Sequence, residues 1–448
     1  MYSDDLSNYI HSSNYDSFPT SVIDHCKLLI LDTLGAMISA SSSTYPISGI
    51  LNNFTQSNSG PPESTIIGSS LKTSSINAAL VNGTLAYYCD IESIHLRSIL
   101  HALAVILPTS LAIGEKLHIN GPTMISSLIV GVDVASRVSY SLTPSGQYSR
   151  SFHPSSVCGC FGAASASSFI LDLNPKQIKN ALGLAGCQSS GLMSWESDHT
   201  EMSRPFQMGV AARNGLTSSL FAAEGLAGPE VFEGKYNIFN AFTNSPQIEN
   251  LNKNLGVTYE LSDIAFKKYS CCAFLQSGVD ALLSLIQNSN LDPKNISEIN
   301  LKFASKGAAV IDNNQMRSHN AQYILSTAAF KNGIMMDDLL QDQYLDSRIS
   351  NLSERINVIY DNDLDNSFPS KYSSILSIKM DDGQNYEKYV ENSPGTSDNP
   401  MSRLEIESKF KKLSSNVINN DLSDSIIKLV NNLHNVDDIC SLSELLSY

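Results

Sequence analysis

The stretch "SFHPSSVCGCFGAASASSFI", residues 151–170, admits few folds. Gly159, Gly162, Ala163, Ala164 and Ala166 carry almost no side chain, so a helix made of them brings its backbone close to whatever it packs on. That partner is either a second helix, with His153 and Pro154 merely opening the first turn, or a ligand, with His153 presented as an imidazole at the mouth of a pocket. Residues 21–40, 74–93, 121–142 and 174–192 repeat the theme, with apolar residues at helical spacing. In the last of these Asn174 precedes Pro175, which predicts an N-cap followed by proline in the first turn. Residues 18–245 are therefore expected to form a compact all-helical unit.

The pattern changes near residue 255. "ISEINLKFASKGAAV" (296–310) and "SSILSIKMDDGQNYEKYV" (373–390) alternate apolar and polar residues, and "DDG" in the second predicts a hairpin turn. Helical spacing returns at 275–289 and 320–333, and again from Arg403 after the turn-rich "SPGTSDNPMS". The expected architecture is mainly α. An all-helical domain, 1–255 completed by 396–448, carries an inserted smaller α+β lid domain, 256–395.

Composition narrows the function. The 448 residues hold 29 Lys+Arg against 44 Asp+Glu, a net charge of −15, without a basic cluster. Neither nucleic acid nor an anionic membrane suits such a chain, whereas a few cations converging in a pocket can still hold a small anionic substrate. "MYSDDLSNYI" is acidic and polar, unlike a secretion signal, and no apolar run reads as a membrane span. The eight cysteines are scattered, which predicts reduced thiols and a cytoplasmic protein. The nine histidines show no metal-ligand spacing, Cys271 and Cys272 are adjacent, and no glycine-rich phosphate loop follows a strand. Neither a metal nor a nucleotide is expected.

Three polar clusters remain. "CDIESIHLRSILHALAVILP" (89–108) offers Asp90, Glu92, His95, Arg97 and His101. Glu92 and Arg97 suit a solvated helix end, but His101 opens an apolar run much as His153 opens its small-residue run. "SWESDHTEMSRPFQMGVAARNG" (194–215) reads as a loop able to cover a pocket, with Arg204 just ahead of a helix. "AFKKYSCCAFLQSG" (265–278) places Lys267 and Lys268 at the entry to a helix, where the dipole disfavours cations and an anionic ligand is one reason for them.

With "LDTLGAMISA", "FHPSSVCGCFGAA", "ALGLAGCQSSGL", "GVAARNGLTSSLFAAEGLAGPEVFEG", "AQYILSTAAFKNG" and "NPMSRLEIESKF", these clusters fall in an order that resembles the MmgE/PrpD family over almost the whole chain. The resemblance implies a helical domain with an inserted α+β lid, a homodimer, a pocket at the domain junction, and neither metal nor organic cofactor. It also implies that Asp90, His101, His153 and Lys267 belong to the active site, with Arg204 where many members have lysine. Departures from the family pattern are Ile94 for a threonine, Glu92-Ser93 for two acids, Gln207 and Gln276 for histidines, and Ala102 for a proline. Lys268, Gln207, Gln276 and Ile94 join Arg204 as the expected substrate contacts.

The family includes 2-methylcitrate dehydratases, cis-aconitate decarboxylases and an iminodisuccinate epimerase. By resemblance the chain is expected to be a cofactor-free lyase that dehydrates or decarboxylates a small di- or tricarboxylate. His101, His153 and Lys267 would move protons, while Arg204 and Lys267 grip carboxylates. Two alternatives stay open. Epimerisation uses the same proton abstraction, and the changes at Ile94, Gln207 and Gln276 suit a non-catalytic binding or dimer-forming relative.

Overall fold

The computed structural model describes all 448 residues. Helices Thr20–Ala40, Ser75–Tyr88, Leu103–Leu117, Gly121–Leu142, Pro154–Ile170, Pro175–Gln188 and Ser203–Ala223 make the main body. Small residues set how closely these helices meet. A Cβ added at Gly162 would stand 2.8 Å from the carbonyl of Gly131, and one at Gly215 would stand 2.5 Å from that of Cys160. The Pro154 helix thus touches the Gly121 and Ser203 helices backbone to backbone, and it is buried along nearly its whole length. Asn174 caps the Pro175 helix through a reciprocal box with Gln177, as the Asn-Pro pair predicts. No helix is long and apolar enough to cross a membrane.

The alternating segments form one four-stranded sheet, with spatial order Ile356–Asp361, Ile296–Ala304, Ser374–Met380, Asn385–Val390. The first pair is parallel and the other two are antiparallel. Ser374, Leu376, Ile378 and Met380 are buried while Lys379 is exposed, as a sheet covered on one face requires. Gly383 takes φ +86° in the turn between the last two strands, a conformation that favours glycine. Helices Gln276–Asn288 and Ala321–Lys331 pack against the sheet.

Two features join the sheet to the helical body. Ile94–His95 pairs antiparallel with Ile264–Ala265, in the register Ile94↔Ala265 and His95↔Ile264. Helix Arg403–Ser414 returns to lie along Thr20–Ala40, where Lys409 Nζ donates to Asp32 Oδ1 at 2.5 Å and to the Ile91 carbonyl at 2.8 Å. Residues 256–275 therefore contact both parts: the Glu260 N–H donates to Asp133, and the Cys272 N–H to the Ser318 carbonyl. The lysine pair differs from expectation, because the helix starts only at Gln276 and Lys267 and Lys268 lie in the irregular segment before it.

Candidate active site

The short pairing of 94–95 with 264–265 sets the centre of the site, because it brings Lys267 beside the turn that starts at Asp90. Asp90 follows the Ser75–Tyr88 helix in the left-handed region, φ +46°, a helix-ending conformation that Asp tolerates better than most residues. Lys267 Nζ lies 2.8 Å from both Asp90 Oδ1 and the Asp90 carbonyl, and 3.3 Å from Glu92 Oε1. Arg204, in the first turn of the Ser203–Ala223 helix, donates to Asp90 Oδ1 at 3.2 Å. Its guanidinium sits 4.3 Å from the ring centre of Tyr87 and 5.0 Å from that of Trp195.

Three histidines close around this core. His101 Nδ1 lies 3.2 Å from the Ser93 carbonyl and 2.8 Å from Glu92 Oε1; only the former is aligned as a hydrogen bond. A carbonyl can only accept, so Nδ1 carries the proton and Nε2 keeps its lone pair. His153 occupies the N-cap position of the Pro154 helix, yet its side chain makes no capping bond. Instead Nδ1 faces Gln207 Oε1 at 3.2 Å, while the Gln207 amide donates to the Leu192 carbonyl at 2.7 Å and so fixes which end faces the ring. His153 is thereby held in the same tautomer. His319 enters from the sheet side, with its ring centre 5.2 Å from that of Trp195.

Burial raises carboxylate pKa values, but Lys267 and Arg204 reverse this at Asp90 and hold it well below the usual range. At Glu92 burial prevails, aided by the charge of Asp90, and the pKa rises. Burial, with the nearby cations, depresses His101, His153 and His319, which are neutral at pH 7. Asp90 and Asp90's partners are thus charged, whereas Glu92 is displaced toward its neutral form. Asp90 Oδ2, Glu92 Oε2 and Arg204 Nε are buried without a protein hydrogen-bond partner. Ile99, which also lines the cavity, is held at φ +50°, a strained conformation for a β-branched residue.

The cavity these groups enclose measures about 20 Å³. His101, His153, Arg204 and Ile94 line it, and Asp90 and Lys267 lie behind Arg204. Gln207 reaches it only through His153. The other two expected contacts do not border it. Gln276 accepts from the Lys268 and Tyr269 N–H groups and donates to the Tyr269 carbonyl, so it braces its own loop. Lys268 is half-exposed beside Asp280, 3.5 Å away. Lys268→Ala is accordingly expected to cost less than about 1 kcal/mol of stability and to leave turnover unchanged, which parallel melting and activity measurements would check.

The solvated reading suits Arg97, which pairs with Asp263 and Glu260 near the surface, but not Glu92, which is fully buried. Glu92, His319, Trp195 and Tyr87 are the site residues that sequence patterns did not single out as functional. For His319 the one available signal was a lone histidine just before a helix. Two groups have metal-compatible spacing, His118-Asp438-Cys440 and His95-Glu260-Asp263, and neither borders the cavity.

Buried carboxylates, fixed cations and oriented imidazoles thus gather around one cavity in a mainly helical chain, an arrangement suited to acid–base chemistry. Residues 4–251 match the MmgE/PrpD N-terminal domain and residues 269–435 the MmgE/PrpD C-terminal domain, so the chain belongs to the MmgE/PrpD family. Human cis-aconitate decarboxylase is 25% identical over 454 residues, covering 98% of this chain and 92% of the human protein. Cis-aconitate decarboxylase of Aspergillus terreus is also 25% identical, over 96% of this chain and 93% of its own. The cis-aconitate decarboxylase-like protein oryM of Aspergillus oryzae is 26% identical, over 99% and 96%. With such relatives the chain is an enzyme of the lyase kind.

Proposed function

We propose that the protein removes carbon dioxide or water from a small di- or tricarboxylate by proton transfer between its own side chains and the substrate. One observation carries this reading: Arg204 lines one buried cavity with two imidazoles whose Nδ1 atoms are hydrogen-bonded elsewhere, and Lys267 stands behind it on the shared Asp90 carboxylate. Arg204 grips a carboxylate with its planar fork and Lys267 acts as a point charge. Both cations also stabilise the negative charge that builds on carbon as a carboxylate leaves or a proton is taken. Nε2 of His101 and of His153 are the proton acceptors. Asp90 holds the two cations in place, and its unpartnered Oδ2 can receive a substrate hydroxyl.

The relatives favour decarboxylation of cis-aconitate. The test is product analysis after incubation with cis-aconitate and, separately, 2-methylcitrate. Carbon dioxide release from the first is expected, and no turnover of either acid by the folded protein would refute the reading. A cavity of about 20 Å³ holds roughly one water molecule, so the walls must part to admit any such acid. Ala273, Phe274, Val310 and His319 form one wall, and we assign 256–395 as the lid that carries it. Slower amide exchange across 272–274 on adding cis-aconitate is expected; unchanged exchange at saturation would count against a lid. The family resemblance and the half-exposed Phe206 and Phe221 on the Ser203 helix support a homodimer, and light scattering showing a monomer at micromolar concentration would exclude it.

A further inference from the structure

We propose that His319 is a third catalytic acid–base residue of this site, the one that delivers a proton to substrate carbon, and that Ser318 and Glu201 position it. The inference rests on the lyase reading above. His319 lines the cavity, and its Nδ1 lies 2.9 Å from Ser318 Oγ. The Ser318 hydroxyl donates to Glu201 Oε2 at 2.8 Å, and the Ser318 N–H donates to Glu201 Oε1 at 3.0 Å. With its single proton given to the carboxylate, the hydroxyl oxygen accepts from His319 Nδ1–H, and Nε2 is left as the free nitrogen of the ring. Glu201, Ser318 and His319 are all buried.

The relay spans the two parts of the chain. Glu201 stands just before the Ser203–Ala223 helix, and Ser318-His319 just before Ala321–Lys331 on the sheet side. Trp195 is in contact with both imidazoles, its ring centre 5.2 Å from that of His319 and 5.6 Å from that of His153. The charged and titratable groups facing His319 are Arg204, Asp90, Lys267 and His101 from the helical side and the turn at Asp90, together with Glu201 through Ser318. Arg204 and Lys267 oppose an imidazolium there. An anionic substrate offsets those cations, and the Glu201 carboxylate supplies a counter-charge at the far end of the relay, with a pKa that burial raises to about 7 against the Ser318 hydrogen bonds.

In decarboxylation the bond from carbon to the departing carboxylate breaks with both electrons left on carbon, and carbon dioxide leaves neutral. The protonated His319 then gives its Nε2 proton to that carbon. A C–H bond forms, the ring returns to neutral imidazole, and a solvent proton reloads it for the next turnover.

The test measures carbon dioxide release from cis-aconitate. His319→Gln is expected to lower kcat about 100-fold, the lower end of what a general acid contributes. Glu201→Gln keeps an acceptor for Ser318 but loses the counter-charge, so the imidazolium gives up its proton more readily and the alkaline limb of the kcat–pH profile moves to lower pH. Full activity in folded His319→Gln, alongside an inactive Lys267→Met, overturns the proposal and leaves the site standing. Full activity in both variants, or no turnover of either cis-aconitate or 2-methylcitrate by the unaltered protein, overturns the lyase reading and this proposal with it. Should His319→Gln fail to fold, Glu201→Gln decides: a shifted alkaline limb supports the relay, and an unmoved one refutes it.

Discussion

Asp90→Asn is expected to destabilise the fold by about 3–5 kcal/mol, the cost of breaking a buried ion pair from one side. Asp90 holds Lys267 at 2.8 Å and Arg204 at 3.2 Å, and neither cation is exposed enough to recruit bulk water instead. Asparagine keeps the shape and one acceptor, but it leaves Glu92 as the only nearby carboxylate. The folded pKa of Asp90 is depressed, so its stabilising effect is complete above the unfolded value of about 3.9 and is lost only as pH falls through the lower folded value. The part of the difference that Asp90 itself supplies should therefore be constant above about pH 5 and vanish in strong acid. Glu92 works in the opposite sense. Its folded pKa is raised, so it withdraws stability as pH climbs from about 4.3 through the folded value. Removing the Asp90 charge lowers that pKa and lets Glu92 ionise against Lys267, which limits the loss. Urea midpoints across pH would measure both effects; a loss below about 1 kcal/mol would mean that Glu92 already compensates fully.

Much of this arrangement was legible in the chain, for reasons that differ between elements. Small residues at helical spacing dictate close-packed helices, since a backbone without side chains has few other ways to bury itself. Strict alternation around "DDG" likewise allowed little but a hairpin, observed as Ser374–Met380 paired with Asn385–Val390. The fold brings Asp90, His101, His153, Arg204 and Lys267 close together, although they span 178 positions of sequence. Glu92 was hidden because its burial depends on Lys267, far along the chain, and an isolated acid near a helix end ordinarily reads as solvated. The lysine pair misled differently. Adjacent residues of an irregular segment face different ways, so Lys267 turns inward to Asp90 while Lys268 meets solvent and Asp280. His319 and Glu201 each lack a sequence pattern, and only the fold brings Ser318 between them.

His153→Gln is expected to lower turnover by about 10²–10⁴-fold while costing roughly 0.5–2 kcal/mol of stability. The stability cost is modest because His153 does not cap its helix by side chain; Pro154 and the backbone start that helix. The His153 N–H donates to the Gly191 carbonyl at 2.9 Å, and glutamine retains this bond. What glutamine cannot retain is the ring. The imidazole lies near Trp195 and Tyr87, with Nδ1 held by Gln207, which leaves Nε2 as the nitrogen the proposed reaction would use. An amide has neither the basicity to take a proton near pH 7 nor the rigidity to stay aligned. Gln207→Ala separates orientation from chemistry, since it removes the group that selects the tautomer and leaves the base itself. A smaller fall in turnover is expected there, with the ring free to present either nitrogen. Near-normal turnover in folded His153→Gln would instead mean that the small-residue helix needs this histidine only for packing, and that His101 takes the proton alone.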